Sequence, residues 1–229
     1  PDGPGDSAQA PGQKLPRGDG ELDSLDALRL KLGALNGDKQ LDLAAKGWGA
    51  ELGRVLGEAE QLAEIEKLDV SDNELGPDGA NALLGSTHLV SLAELDLGGN
   101  AIGDDGVKAL AGSRLGKLST LNLSGNGIGP TGAKTLSKSK SYPELASLDL
   151  SMNPVGADGV RALGAAGHFR LSALFLLGSE IGSDGAKALA KASGWKLKLL
   201  ALSGNSIGNE GAKALAGSAK LSSLSTLDL

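Results

Sequence analysis

A ten-residue pattern recurs six times in this chain and constrains its fold more than any other feature. The copies read LGPDGANALL, IGDDGVKALA, IGPTGAKTLS, VGADGVRALG, IGSDGAKALA and IGNEGAKALA. Their first residues lie 26 or 27 positions apart. A fixed period of this length predicts a tandem array, in which each unit packs mainly against its two neighbours.

A pair of apolar residues with one residue between them precedes each copy at a constant distance. The pairs are Leu68/Val70, Leu95/Leu97, Leu121/Leu123, Leu148/Leu150, Leu174/Leu176 and Leu200/Leu202, with a last pair at Leu227/Leu229. Side chains alternate between the two faces of a strand, so each pair predicts a short strand with two residues pointing inward. Stacked units then predict a parallel sheet.

The residues after each strand predict a turn into a helix. Asparagine follows at Asn73, Asn100, Asn126, Asn153 and Asn205, and its carboxamide can bond backbone groups left unpaired at the turn. Two glycines come next, as in Gly76 and Gly79. The first should supply a conformation that side chains resist, and the second should let the helix approach the sheet closely. Acidic residues between them, such as Asp78, mark a helix start.

Composition along the chain predicts three parts. Residues 1–20 are rich in Pro, Gly and Asp and should form a disordered leader. Residues 21–67 carry leucines at helical spacing and then an imperfect repeat, which predicts an N-terminal helix and a capping repeat. Residues 68–229 hold six full repeats of 26–27 residues and a trailing strand. The chain starts at Pro1 and stops on a strand, so we interpret it as a fragment.

The strand signature L-x-x-L-x-L-x-x-N resembles the leucine-rich repeat family, and the following helix resembles its ribonuclease-inhibitor class. The segment "GAKALA" is similar to GALA-type repeats of bacterial proteins, some of which are effectors injected into host cells. This resemblance implies an α/β solenoid: a curved horseshoe with parallel strands on the concave face and helices on the convex face. It also implies protein binding by the concave face, and a location in the bacterial cytoplasm or, after secretion, in a host cell.

Charge and residue types narrow the classes of function. The net charge is −6 and no Lys/Arg cluster stands clear of acidic neighbours, which argues against nucleic acid or an anionic membrane as partner. The absence of cysteine excludes disulfides and zinc-thiolate sites. His88 and His168 lie away from any repeated acid or serine. We therefore predict a protein that is not an enzyme and has no cofactor and no metal site.

The residue between the two strand leucines should face the concave surface. This row reads Asp42, Asp69, Asp96, Asn122, Asp149, Phe175, Ala201 and Asp228. Neighbouring aspartates at strand spacing should repel and raise one another's pKa values. Two interpretations stay open: the row binds a basic partner or a divalent cation, or aspartate is simply the usual residue of this repeat.

Phe175 breaks the aspartate row. The same face should present Leu177, Leu199 and Ala201 together with Ala173 and Met152. The other four aromatic residues, Tyr142, Phe169, Trp195 and Trp48, are predicted to be core. An exposed apolar cluster indicates a contact site anchored by Phe175, and sequence drift within one repeat is the alternative. Replacing Phe175 by alanine should then weaken partner capture and leave thermal unfolding nearly unchanged.

These observations predict non-catalytic recognition of a protein partner. The predicted partner-binding residues are Phe175, Leu177, Leu199, Ala201, Met152, Asp149, Asp96 and Asp69. One alternative is the substrate-binding part of a larger enzyme, a ubiquitin ligase or a protein-modifying effector, whose catalytic domain lies outside this sequence. Another is self-association through an open C-terminal strand edge.

Overall fold

Eight short parallel strands form one sheet in the computed structural model, which describes residues 24–167 and 169–229. The strands are Gln40–Asp42 (β1), Lys67–Asp69 (β2), Glu94–Asp96 (β3), Thr120–Asn122 (β4), Ser147–Asp149 (β5), Ala173–Phe175 (β6), Leu199–Ala201 (β7) and Thr226–Asp228 (β8). Their spatial order is their chain order. Each central leucine pairs with the central leucine of the next strand, as Leu68 does with Leu95. Equivalent residues of successive units therefore lie in straight rows.

Eight α-helices alternate with these strands in the described residues. They are Leu25–Ala34 (α1), Gly49–Gly57 (α2), Gly76–Leu84 (α3), Gly103–Gly112 (α4), Pro130–Lys138 (α5), Gly156–Ala165 (α6), Gly182–Leu189 (α7) and Gly208–Ala216 (α8). Two short 3₁₀ helices span Glu60–Glu64 and Ala219–Leu221. Strands need about 4.8 Å each, whereas a helix with its side chains is about 10 Å wide. The array therefore curves with the strands inside, and the predicted α/β solenoid is confirmed.

The core lies between the sheet and the helices and is built almost entirely of aliphatic side chains. Both residues of each strand pair from Leu41/Leu43 to Leu200/Leu202 are buried, as are the helix leucines such as Leu110 and Leu163. Tyr142, Phe169 and Trp195 are also buried, which confirms their assignment to the core. Trp48 is half-buried and packs against the core edge. Rings of Tyr142 and Phe169 stack with centroids 6.4 Å apart.

The asparagine row connects each unit to both neighbours. Asn100 donates from Nδ2 to the carbonyl oxygens of Val70 at 2.9 Å and Leu97 at 3.0 Å. Its Oδ1 accepts the backbone N–H groups of Asn73 at 3.0 Å and Leu75 at 3.3 Å. The row therefore satisfies buried backbone groups that the sheet leaves unpaired, as the sequence predicted.

Ser179 interrupts this row. Its hydroxyl donates to the carbonyl oxygen of Leu150 at 3.1 Å, but it has no carboxamide to accept the N–H groups of the preceding unit. In that unit the Val155 N–H donates instead to the Asn153 carbonyl oxygen at 2.7 Å. The unit that contains Phe175 therefore also departs from the others in its backbone support.

The paired glycines serve two different purposes. Gly76 has a φ of +60°, which L side chains resist, and the helix begins at that residue as predicted. Gly79 lies against α2, where an added Cβ would come within 2.8 Å of the Ala50 Cα. The second glycine thus permits close helix–helix packing, and our expectation of close helix–sheet approach was wrong. In α5 the first glycine differs, because Gly129 has a φ of −90° and the helix begins one residue later, at Pro130.

The N-terminal part contains one full strand–helix unit and an additional helix. Strand β1 pairs with β2 in the common register, and α1 buries Leu28 and Leu32. The Asn73 carboxamide of the next unit donates to the Leu43 carbonyl at 2.8 Å. An asparagine of the next unit therefore satisfies a backbone carbonyl of this one. The division at residue 67 and the capping role stay predictions, and the leader of residues 1–20 lies outside the described residues.

Candidate functional site

The surface of the sheet that faces away from the helices, called the strand face below, carries the row from Asp42 to Asp228. Its aspartates accept hydrogen bonds from the turns that follow their own strands. The Asp69 Oδ1 accepts the Ser71 N–H at 2.9 Å and the Ser71 hydroxyl at 2.7 Å. The Asp149 Oδ1 accepts the Ser151 N–H at 2.7 Å. These bonds give aspartate a structural role in the repeat, whatever else it does.

Two carboxylates of this row, those of Asp69 and Asp149, are less accessible than the sequence indicated. Only 7% of the surface of Asp69 and 9% of that of Asp149 is exposed. Adjacent strands are about 4.8 Å apart, so neighbouring side chains of the row cover one another. At Asp96 the charges of neighbouring aspartates raise the pKa as predicted, but burial contributes more than charge.

Asp96 shows the largest electrostatic effect in the row. Burial raises its pKa from the ordinary 3.8 to about 6. Hydrogen bonds from the Asn122 side chain and the Gly98 N–H oppose the shift, and the charges of Asp69 and Asp149 add to it. Burial likewise raises the pKa of Asp149, against its bonds with Ser151.

Five residues of β6, β7 and the turn after β6 form an apolar cluster separate from the main core, and we call it the apolar patch. Ala173, Phe175 and Ala201 are buried in it, and Leu177 and Leu199 are half-buried around them. The grouping agrees with the sequence prediction. The predicted exposure of Phe175 was wrong, because only 7% of its surface is accessible. Leu177 and Leu199 therefore offer the accessible apolar surface, with Phe175 between them.

Met152 is the exposed apolar residue next to this patch. It is 69% exposed and has a φ of +57°, in a position that is glycine in four other units: Gly99, Gly125, Gly178 and Gly204. Its sulfur lies close to Gly178, the residue after Leu177, because a Cβ built on Gly178 would be 2.9 Å from the Met152 Sδ. The structure thus brings Met152 to the border of the apolar patch.

Two contacts in this region were not foreseen from the sequence. The Ser151 hydroxyl accepts the Leu177 N–H at 3.1 Å, which takes the place of the bond that aspartate supplies in other units. Asn122 binds the Asp96 carboxylate with its Nδ2 at 2.9 and 3.0 Å. The one asparagine among the aspartates of this row was the signal for the second contact.

Within residues 24–167 and 169–229, no three His, Cys, Asp or Glu side chains are grouped so that they could hold a metal ion. No helix in these ranges is long and apolar enough to cross a membrane. His88 lies in the connection after α3, and His168 lies outside the described residues.

Comparison with known proteins identifies the repeat. Five segments match the family described as "Leucine Rich repeat", at residues 65–84, 86–111, 117–137, 145–164 and 196–216. This chain is a leucine-rich repeat protein. No matched segment covers residues 165–195. This interval of the leucine-rich repeat protein contains Phe175, Leu177 and Ser179. A search of curated proteins gave no match.

Solved structures similar to this leucine-rich repeat protein include an internalin (inlF) from Listeria monocytogenes. The alignment covers 90% of this chain and 64% of the internalin, with 18% identity and a TM-score of 0.46. A second is TLR13 in its complex with ssRNA13, with 19% identity, a TM-score of 0.41, and coverage of 87% of this chain and 34% of that one. The present chain thus spans less than two thirds of either protein.

Proposed function

We propose that this leucine-rich repeat protein recognises a protein partner through its strand face, with the apolar patch at the centre of the contact. Repeat solenoids offer extended concave surfaces of this kind for binding. The observation that carries the proposal is the patch itself, an apolar cluster outside the core on a face that is otherwise polar. Contiguous apolar patches rimmed by polar residues are typical of interaction sites.

The fold does not need leucine at these positions, which favours a functional reason for it. The column of Leu177 holds Ser71, Gly98, Ser124, Ser151 and Ser203 in other units. The column of Leu199 holds Lys67, Glu94, Thr120, Ser147 and Thr226, together with Gln40 and Ala173. Most of these residues are polar or small, so the scaffold is built without apolar contacts here.

The remaining predicted contact residues extend the proposed surface on one side. Asp149, Asp96 and Asp69 continue the row toward the N-terminus, and Met152 borders the patch. The finer assignment to GALA-type, ribonuclease-inhibitor-like repeats of a bacterial effector rests on the similarity of "GAKALA" and belongs to this proposal. The enzyme-associated alternative and self-association through β8 remain predictions.

The proposal is tested with a variant that restores the residues of other units. Leu177→Ser combined with Leu199→Thr removes the accessible apolar surface while using side chains that the repeat already holds at these columns. The matched control is Val90→Ser, which removes an apolar side chain that is 50% exposed and outside the strand face. Immobilised wild type, double variant and control are compared for captured proteins, and circular dichroism melts verify folding.

The expected result is that partners bound by the wild type are kept by Val90→Ser and lost by the double variant. A double variant that folds normally and captures the same proteins in the same amounts would refute the proposed surface.

A further inference from the structure

We infer that the partner presents a lysine or arginine beside an apolar residue, with the cation at Asp149 and the apolar group on the apolar patch. This inference rests on the proposed function and specifies the chemistry of the partner. It follows from the point where the carboxylate row and the patch meet.

Asp149 and Phe175 lie at that junction. They are register partners on adjacent strands, so their side chains occupy neighbouring positions of the same row. Strand spacing separates such positions by about 4.8 Å. A single side chain of the partner can therefore contact both the carboxylate and the edge of the patch.

Asp149 is buried without a cation. Its Oδ1 accepts the Ser151 N–H at 2.7 Å, the Ser151 side chain also hydrogen-bonds to it, and among the described residues no Lys or Arg offsets its burial. Only 9% of its surface is exposed. A buried carboxylate without a cation is costly, and a cationic hydrogen-bond donor would reduce that cost.

Asp96 shows how the same row satisfies a carboxylate internally. Both of its oxygens accept hydrogen bonds from the Asn122 Nδ2, and its Oδ1 also accepts the Gly98 N–H at 2.9 Å. Asn122 lies between Asp96 and Asp149, but it directs its amide to Asp96. On its other side Asp149 has Phe175, which offers no polar group. Neither neighbour of Asp149 in the row carries a positive charge, so a cation has to come from the partner.

Lysine and arginine match both parts of the junction. Their aliphatic stems pack on apolar surface while the charged head reaches a polar group. A stem lying over Leu177 and Leu199 would complete the burial of these half-exposed side chains. An acidic partner would meet Asp69, Asp96 and Asp149 in one row, and a purely apolar one would bury Asp149 further without a cation. The raised pKa of Asp149 agrees with a carboxylate that has no cation nearby.

The test uses a random dodecapeptide library displayed on phage and selected on the immobilised protein. Selection is run in parallel on wild type, Asp149→Asn, Leu177→Ser and the control Asp42→Asn. Asn122 shows that asparagine fits this row, since its Oδ1 accepts the Ser124 N–H at 2.9 Å. Asp42 occupies the same row on β1, remote from the patch, and makes the equivalent bond to the Ala44 N–H at 3.0 Å.

Peptides selected on the wild type should carry Lys or Arg next to Leu, Ile, Phe or Trp. A synthetic copy of the most enriched peptide should bind Asp149→Asn at least about tenfold more weakly by fluorescence polarisation, and Asp42→Asn equally well. Enrichment of apolar peptides without basic residues, or equal binding by Asp149→Asn, overturns the inference and leaves recognition by the patch intact. Peptides that bind Leu177→Ser as well as wild type, or no enrichment at all, overturn the proposed surface as well.

Discussion

Asn122 donates its Nδ2 to both carboxylate oxygens of Asp96, at 2.9 and 3.0 Å, and so anchors a half-buried carboxylate on the strand face. The bond only partly offsets burial, because the pKa of Asp96 still lies at about 6. A carboxylate with a raised pKa favours folding most when it is protonated, and this has a measurable consequence.

We expect the Asp96→Asn variant to lose a pH dependence that the wild type shows. The folded-state pKa is raised, so the contribution of Asp96 to stability is complete below about pH 4 and is lost as the pH rises through about 6. The free energy of unfolding of the wild type should fall relative to the variant by up to about 3 kcal/mol across this range. Urea denaturation at several pH values measures the free energy of unfolding of both proteins. Parallel plots of this free energy against pH would contradict the prediction.

Restoring the asparagine row should stabilise the protein. In Ser179→Asn the new carboxamide can accept the N–H groups of Asn153 and Val155, as Asn205 accepts those of Ser179 and Ile181. We expect the free energy of unfolding to rise by about 1 kcal/mol. The control Ser179→Ala removes the bond to the Leu150 carbonyl and should be less stable than wild type. Equal stability of the asparagine variant and wild type would show that the break in the row costs nothing.

Alanine at Gly79 should destabilise the protein by about 1–3 kcal/mol. Its Cβ would come within 2.8 Å of the Ala50 Cα, so α2 and α3 would have to separate. The matched control is Gly112→Ala at the end of α4, where a Cβ meets nothing within 4 Å. Chemical denaturation compares the two variants. A Gly79→Ala variant as stable as Gly112→Ala would argue against close helix packing as the reason for this glycine.

Phe175→Ala should lower the free energy of unfolding by about 2 kcal/mol. This replaces the earlier expectation of nearly unchanged thermal unfolding, because Phe175 is 7% exposed and packs among the residues of the apolar patch. Val90→Ala, at an exposed site, should shift stability by no more than about 0.5 kcal/mol. Thermal melts of the three proteins provide the comparison, and an unshifted melt for Phe175→Ala would mean that the patch adds no stability.

Much of the fold could be predicted from the sequence because each row of the solenoid repeats one residue type. The Leu-x-Leu pairs specified the strands, and Asn100 and its equivalents specified the turns. The second glycine was misassigned because its neighbour is a helix of another unit, and packing between units leaves no separate mark in the sequence of one. The members of the apolar patch were predictable from strand alternation alone, since alternate residues share a face.

The sequence by itself determined the array, its period and the residues of each row, since local hydrogen bonding and alternation repeat in every unit. Only the tertiary structure decided how far each side chain is covered, because coverage depends on the residues that flank it in adjacent strands. That is why Phe175 is buried rather than exposed and Leu177 and Leu199 carry the accessible surface. It is also why Asp96 receives a donor from Asn122 while Asp149, at the edge of the patch, does not.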